Sequence, residues 1–155
     1  MKFNFKNKNV FISGGTHGIG LACLLKFAEM GSNVVTFSRD EKKIINVKKK
    51  LKKFKVASLI DKGDILDESF VEKFAYKVIK KFKKIDILIH NVGGGGRWGN
   101  KEFLLTKKEV WYQVYKKNVE GVITFSKIFL PLMLKKKWGR IIAIGSVTGI
   151  EAKEE

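Results

Sequence analysis

The sequence has few cysteines and prolines, and this limits the covalent cross-links, the metal sites and the helix interruptions that the chain can have. Cys23 is the single cysteine among 155 residues, so no disulfide can form within the chain and no metal site can be built on paired cysteines. We predict no metal site of any kind, and we expect Cys23, which falls in a helical pattern, to be a small buried hydrophobic residue. The single proline, Pro131, is predicted to bend or end the helix in which it lies.

The chain also lacks a long uninterrupted hydrophobic run. Its most apolar late segment, residues 119–134, is interrupted by Glu120 and Lys127, and the apolar run near the N-terminus is far too short for a signal peptide. We therefore expect no membrane span, no targeting segment and a cytoplasmic location.

Arginine is scarce although the net charge is +17, because only Arg39, Arg97 and Arg140 are arginines among the 32 basic residues. Recognition of phosphates and bases favours the arginine fork, whereas the lysines are scattered along the outer faces of predicted helices. We interpret them as a solvated surface, and a basic nucleic-acid-binding domain is the weaker alternative. The apolar content of 45% is sufficient for the core of one domain over residues 1–155.

A glycine-rich turn, Ser-Gly-Gly-Thr-His-Gly-Ile-Gly at residues 13–20, lies between an apolar run and a helical pattern. A phosphate-binding turn requires this context. Gly14 can adopt backbone angles closed to other residues, Gly18 leaves room for a pyrophosphate, and Gly20 permits close packing of helix and strand. The helix that follows directs its unpaired N–H groups and its positive dipole end at the anion. A tight turn without a ligand is the alternative.

Strand and helix patterns alternate along the chain. We predict strands at residues 10–13, 33–38, 56–60, 86–90 and 140–144, and helices at 19–30, 40–53, 67–82 and from 106 to about 136. This order indicates an α/β fold with a doubly wound, Rossmann-like parallel sheet. The fifth strand is continuously apolar, so we expect both of its faces to be covered.

The second strand ends at Ser38-Arg39-Asp40, where a dinucleotide fold meets the adenosine ribose. A carboxylate at that place would accept hydrogen bonds from a free 2'-hydroxyl and would repel a 2'-phosphate. Here Ser38 stands at the place of that carboxylate, and Arg39 follows it. A serine and an arginine favour NADP(H) as the cofactor and leave NAD possible. His17 is a second candidate phosphate contact. The alternatives are that Arg39 is a surface residue and His17 an ordinary turn residue.

Five ordered motifs resemble the short-chain dehydrogenase/reductase family: residues 13–20, 64–65, 86–93, 118–121 and 139–146. Serine replaces threonine at position 13, histidine replaces asparagine at position 90, and valine replaces alanine at position 92. The resemblance implies the first five strands of that family's fold and an NAD(P)-binding domain. It also implies these cofactor-binding residues: Gly14, Thr16, His17, Gly18, Ile19, Gly20, Ser38, Arg39, Asp64, Ile65, Asn91, Val92 and Gly93.

The same resemblance implies that Ser146 and Asn118 are catalytic. Ser146 would donate a hydrogen bond to a carbonyl that becomes an alkoxide on hydride delivery, while Asn118 would disturb its helix and hold a water of the proton relay. The implied function is hydride transfer between a nicotinamide cofactor and a small carbonyl or alcohol substrate. A loop serine, a tolerated asparagine and a catalytically inactive nucleotide-binding protein are the alternatives.

The family's Tyr-x-x-x-Lys pair, by resemblance, begins a little more than a dozen residues after the serine, and here only residues 147–155 follow Ser146. The same spacing occurs at Tyr76 and Lys80 and at Tyr112 and Lys116, but both pairs precede Ser146 on helices, so we reject them as catalytic. We expect this chain to be the N-terminal part of a longer enzyme, inactive alone and homo-oligomeric at full length.

The loop at residues 93–99 is unusually rich in glycine. Arg97 and Trp98 are either substrate contacts on a lip over the site or incidental parts of a loop, and the sequence leaves both interpretations open.

Overall fold

Strands and helices alternate in the order that the sequence predicts. In the computed structural model, which describes residues 4–94 and 103–147, the strands are β1 (Asn9–Ile12), β2 (Asn33–Ser38), β3 (Ser58–Lys62), β4 (Ile87–His90) and β5 (Arg140–Ala143). The helices are α1 (Gly18–Glu29), α2 (Glu41–Leu51), α3 (Glu68–Phe82), α4 (Lys108–Tyr115) and α5 (Gly121–Lys135). A short 3-10 turn, Phe103–Leu105, precedes α4, and a π-helical turn, Lys116–Glu120, joins α4 to α5.

The five strands form one parallel sheet in the order β3-β2-β1-β4-β5. The chain builds outward from β1 through β2 to β3 and then returns to the other side of β1 to add β4 and β5. This reversal of strand order confirms the predicted α/β, doubly wound, Rossmann-like fold. It also opens a crevice beyond the carboxyl ends of β1 and β4, which is the usual ligand position in such sheets.

Two apolar layers cover the sheet because successive side chains of a strand point to opposite faces. Phe11 of β1 packs on one side, edge to face against Phe125 of α5 with ring centroids 4.8 Å apart and against Phe74 of α3 at 5.7 Å. Its neighbours Val10 and Ile12 pack on the other side with residues of α1 and α2. The helices therefore pack in two layers, with α3 and α5 on one face of the sheet and α1 and α2 on the other.

A buried polar network ties together the amino ends of three strands. The carboxylate of Asp86, only 4% exposed, accepts the backbone N–H of Asn9 at 2.9 Å and lies 2.9 Å from the ammonium of Lys84. The side-chain amide of Asn9 donates to the carbonyl of Lys84 at 3.1 Å, and its oxygen accepts from Asn33 at 2.9 Å. Each buried polar group named here thus has a partner, as stable interiors require.

The prediction that β5 is covered on both faces is wrong. In the described sheet β5 is the edge strand and pairs with β4, and its residues Ile141 and Ile142 are 40% and 44% exposed.

Two predictions about single residues also need correction. Pro131 does not end its helix, because α5 continues past it to Lys135 with one backbone donor fewer. Cys23 is half-buried against the α1 and α2 layer, so it is less enclosed than predicted.

No helix within the described residues is both long enough and apolar enough to cross a membrane.

The polar network predicts a stability difference between two aspartates. Replacing Asp86 with alanine leaves the buried Asn9 N–H without its acceptor and Lys84 without its counter-charge, so we expect the free energy of unfolding to fall by about 2–4 kcal/mol. The control is Asp61→Ala, which removes a more exposed ion pair with Lys77 and should cost about 1 kcal/mol or less. Urea denaturation followed by circular dichroism measures both, and equal losses would contradict the buried role of Asp86.

Candidate functional site

A cavity of about 390 Å³ lies at the carboxyl ends of β1, β2, β3 and β4. Residues from four separate loops and one helical turn line it: Gly14, Thr16, His17, Gly18, Ile19, Phe37, Ser38, Arg39, Gly63, Asp64, Ile65, Leu66, Asn91, Val92, Gly93 and Lys117. The structure thus brings together every cofactor-binding residue that the sequence indicated except Gly20, which is buried beneath the turn. The cavity follows the crevice created by the reversal of strand order.

The glycine turn after β1 depends on its glycines in three different ways. Gly14 and Gly18 have φ angles of +69° and +50°, in the left-handed region that side chains disfavour. A Cβ on Gly20 would lie 2.5 Å from the carbonyl oxygen of Gly14 and 2.5 Å from the side-chain nitrogen of Asn91. A Cβ on Gly18 would meet nothing within 4 Å, so open space lies in front of it. The turn is therefore closed behind Gly20 and open toward the cavity at Gly18.

The N-terminus of α1 adjoins this open side. His17 is its N-cap residue, with an extended backbone and no side-chain cap hydrogen bond, and the helix begins at Gly18. The first N–H groups of a helix have no partner within the helix, and they carry the positive end of its dipole. Gly18 and Ile19 both line the cavity. This end of the cavity therefore suits an anion such as a phosphate.

Hydrogen bonds from two neighbouring strands hold the glycine turn in place. The hydroxyl of Thr36, buried in β2, accepts the N–H of Gly15 at 2.8 Å. The hydroxyl of Ser13 accepts the N–H groups of Asn91 and Val92 at 3.0 and 3.1 Å. Asn91 in turn donates its side-chain N–H to the carbonyls of Ser13 and Gly14, both at 3.2 Å. The turn after β1 and the loop after β4 are thus one rigid unit.

Arg39 and Asp64 meet at the other end of the cavity. Their side chains form an ion pair with Nη1 and Oδ2 3.4 Å apart, and the Arg39 side chain is 63% exposed. The second carboxylate oxygen of Asp64 accepts the N–H of Leu66 at 3.1 Å, which fixes its orientation. Asp40 is engaged elsewhere, because its carboxylate caps α2 through the N–H of Lys43 at 3.1 Å. Among the described residues that line the cavity, the one carboxylate, Asp64, is therefore already paired with an arginine.

Asn118 braces the loop after β4 against the long helix. Its side-chain oxygen accepts the N–H of Gly94 at 2.9 Å, and its side-chain nitrogen donates to the carbonyl of Val114 at 2.7 Å. The helix is π-helical over Lys116–Glu120, so it departs from α-helical form around Asn118 as the resemblance implied. Asn118 does not itself line the cavity; its neighbour Lys117 does.

Ser146 lies outside the cavity. It is exposed and follows β5 in the chain. Two residues before it, the N–H of Ile144 donates to the carbonyl of His90 at 2.8 Å, so the pairing between β4 and β5 continues past the ends of the two strands. Ser146 is thus on the same carboxyl edge of the sheet, one strand away from the cavity wall. The candidate substrate contacts Arg97 and Trp98 are outside the described residues.

Lys117 also lines the cavity, as the one lysine among the described lining residues, and the sequence did not indicate it. No pattern marked it, because lysine is abundant throughout the chain and Lys116 precedes it directly. The structure separates these two neighbours. Lys116 turns away and donates to Glu68 at 3.1 Å, a hydrogen bond that raises the pKa of its ammonium group.

His90 is a buried histidine directly before Asn91. Its Nε2 lies 3.0 Å from the hydroxyl of Ser126, and its Nδ1 has no hydrogen-bond partner in the described part of the chain. Burial lowers the pKa of His90 to about 4. The imidazole is consequently neutral at physiological pH and serves packing between β4 and α5.

Comparison with known proteins gives one family. The family model of short chain dehydrogenases matches residues 8–155. Among the curated relatives, a 3-oxoacyl-acyl-carrier-protein reductase FabG of Buchnera aphidicola is 33% identical over 144 residues, covering 93% of this chain and 57% of that protein. The short chain dehydrogenase pigC of Monascus ruber is 29% identical over 153 residues, covering 95% of this chain and 50% of that protein. The chain spans about half the length of the curated relatives it matches.

Solved structures share the fold. A variant of actinorhodin polyketide ketoreductase with NADPH has a TM-score of 0.85 and 25% identity, covering 95% of this chain and 56% of that chain. An NAD+-bound xylitol dehydrogenase has a TM-score of 0.87 at 22% identity, covering 97% of this chain and 57% of that chain. These neighbours bind different nicotinamide cofactors.

The low pKa of His90 predicts an acid-sensitive fold. The unfolded chain protonates this imidazole near pH 6.5, whereas the folded protein resists protonation until about pH 4. The contribution of His90 to the free energy of unfolding is therefore constant above pH 6.5. About 3 kcal/mol of this free energy is lost as the pH falls from 6.5 to 4. We expect His90→Asn to lose less stability over this range. Urea denaturation at several pH values measures this, and parallel pH dependence in both proteins would contradict it.

Proposed function

Because the chain belongs to the short-chain dehydrogenase family, we propose that it forms the cofactor-binding part of an oxidoreductase that acts on a small carbonyl or alcohol substrate. The observation that carries this proposal is the cavity at the reversal point of the sheet, with the glycine turn and the N-terminus of α1 on its wall. When bound there, a nicotinamide dinucleotide supplies the hydride chemistry.

The residues of the cavity fit such a dinucleotide. The open space in front of Gly18, next to the first N–H groups of α1, suits a pyrophosphate. Ile65 offers an apolar wall at the β3 end, where Asp64 and Arg39 offer polar contacts to an adenosine. The loop of Asn91 to Gly93 lies at the β4 end, toward Ser146, and suits the nicotinamide half.

We further propose NADPH as the preferred cofactor. Ser38 and Arg39 line the cavity at the end of β2, while Asp40 is occupied as the cap of α2. Arg39 is exposed enough to exchange its long contact with Asp64 for a 2'-phosphate, and a charge-assisted contact to a dianion is stronger than one exposed ion pair.

In the proposed reaction Ser146 donates a hydrogen bond to the substrate oxygen as negative charge develops on it. Asn118 keeps the loop after β4 in place, and its remaining acceptor capacity can hold a water. Neither group is an acid able to protonate an alkoxide at neutral pH. Tyr112 and Tyr76 are poor candidates for that role, because both are more than half exposed on helices and Lys116, the spacing partner of Tyr112, is bound to Glu68.

The remaining expectations stay proposals: a cytoplasmic location and a homo-oligomer at full length. Exposed aromatic side chains on α4, Trp111, Tyr112 and Tyr115, support an interface on that helix. The contacts within the described part of the chain and the relatives named above do not favour the nucleic-acid-binding or the inactive alternative.

Cofactor preference can be tested through Arg39. We expect the protein to bind NADPH more tightly than NADH, and Arg39→Ala to weaken NADPH binding by about 10-fold or more while leaving NADH nearly unchanged, since only NADPH carries the 2'-phosphate. Calorimetry gives both dissociation constants. Arg140→Ala is the control, because Arg140 lies on β5 outside the cavity. Equal affinity of the unmutated protein for both cofactors would contradict the preference.

Activity can be tested on the 155-residue chain itself. We expect no measurable turnover, because no Tyr-x-x-x-Lys follows Ser146 within these residues and loss of a general acid costs about 10²- to 10⁴-fold in rate. The assay follows NADPH consumption with a panel of ketones and aldehydes. A natural form extended by such a pair should be active. Turnover by the 155-residue chain that Tyr112→Phe abolishes would show that Tyr112 is catalytic after all.

A further inference from the structure

We propose that Asp64 is a specificity-determining residue of the cavity, which weakens the preference for NADPH because a 2'-phosphate must displace Arg39 from its ion pair with Asp64. This inference rests on the proposed function, since it concerns the same cavity and its choice between two cofactors. The sequence motifs imply that Asp64 binds the cofactor, but they assign it no part in that choice.

Arg39 and Asp64 reach the same end of the cavity from neighbouring strands. The parallel pairing of β2 with β3 continues to Ser38 and Lys62, the last residues of the two strands. Beyond it, the N–H of Gly63 donates to the carbonyl of Ser38 at 3.0 Å. Arg39 and Asp64 come directly after these paired residues, and both line the cavity. The register of the sheet therefore brings this arginine and this carboxylate together.

The two partners of this ion pair differ in their freedom to move. Asp64 accepts the N–H of Leu66 through Oδ1 at 3.1 Å, and its other oxygen, Oδ2, faces Arg39. The Arg39 side chain is 63% exposed and meets that oxygen through Nη1 at 3.4 Å, whereas the Asp64 side chain is 34% exposed. The carboxylate is thus held by the backbone and the guanidinium is not. An anion that binds Arg39 therefore has to displace it from an Asp64 that stays in place.

Two other ion pairs lie at the same edge of the sheet and serve for comparison. The ammonium of Lys62 lies 3.3 Å from Oε2 of Glu41, and that of Lys43 lies 3.9 Å from Oδ2 of Asp40. All four side chains are exposed. The described lining of the cavity includes the first ion pair but not these two. The pair of Lys62 with Glu41 is therefore a matched control, with the same charges at the same edge but outside the cavity.

The Asp64 carboxylate opposes a 2'-phosphate in two ways. The two anions compete for one guanidinium, and they repel each other. NADH carries a 2'-hydroxyl at that position, which needs no such displacement and can donate to a carboxylate. Asp64 thus lowers the affinity for NADPH relative to NADH, while Arg39 raises it. Because a charge-assisted contact to a phosphate dianion is stronger than one exposed ion pair, NADPH remains the preferred cofactor.

The test measures the dissociation constants of NADH and NADPH by calorimetry and compares their ratio between the protein and its variants. We expect Asp64→Asn to raise the preference for NADPH about three- to tenfold, because asparagine keeps an acceptor for the Leu66 N–H and removes the charge that holds Arg39. Asp64→Ser should act in the same direction. Glu41→Gln should change the ratio about twofold or less. Asp64→Asn added to Arg39→Ala should also change it about twofold or less, because the guanidinium that it would release is gone.

Distinct results would overturn the two proposals. If the unmutated protein binds both cofactors and neither substitution of Asp64 raises the ratio, Asp64 does not set the choice and the proposed function stands. If Glu41→Gln raises the ratio as much as Asp64→Asn, the net charge of this edge is responsible and the ion pair is not. An equal gain with and without Arg39 would likewise exclude displacement of the arginine. If the unmutated protein binds neither cofactor, the proposed function fails and this inference fails with it. Circular dichroism of each variant confirms that it is folded.

Discussion

The junction between β1 and β4 is the constraint on which the site depends. Ser13 accepts two backbone N–H groups from the loop after β4, and Asn91 returns two hydrogen bonds to the carbonyls of the glycine turn. Gly20 must be glycine for this junction to close, because a Cβ there would collide with Asn91 and with the backbone of Gly14. These contacts within the chain fix the crevice at the reversal point of the sheet, where the cavity lies.

The rest of the fold supports that junction from both ends of the strands. At the amino ends, the buried hydrogen bond from the Asn9 N–H to Asp86 and the part-buried one from the Asn9 side chain to the carbonyl of Lys84 help to fix β1 beside β4. Between the ends, Phe11 packs against rings from α3 and α5 and holds these helices on one face. The position of α5 in turn sets the π-helical turn, through which Asn118 holds the loop after β4 and Lys117 reaches the cavity.

The candidate site has two parts, the cavity at the ends of β1 to β4 and Ser146 after β5. In the cavity at the ends of β1 to β4, Asn91, Arg39 and Asp64 are oriented by hydrogen bonds or an ion pair, as a preorganised binding site requires. Ser146, by contrast, is exposed beyond an edge strand whose isoleucines are 40% and 44% exposed. Within the described residues, the proposed cofactor cavity and the exposed Ser146 thus lie on neighbouring strands at one edge of the sheet.

The sequence by itself determined the order of the strands and helices, the glycine turn and the ends of the strands at which function is expected. These follow from local rules: apolar periodicity, cap residues and the backbone freedom of glycine, all carried by neighbouring residues. Only the tertiary structure decided that β5 is the exposed edge of the described sheet and that Arg39 pairs with Asp64. It also decided that the buried His90 has no partner for Nδ1 among the described residues, and that Lys117 rather than Lys116 lines the cavity. Each of these depends on residues far apart in the chain, and exposure, ion pairing and pKa follow from three-dimensional neighbours rather than from local pattern.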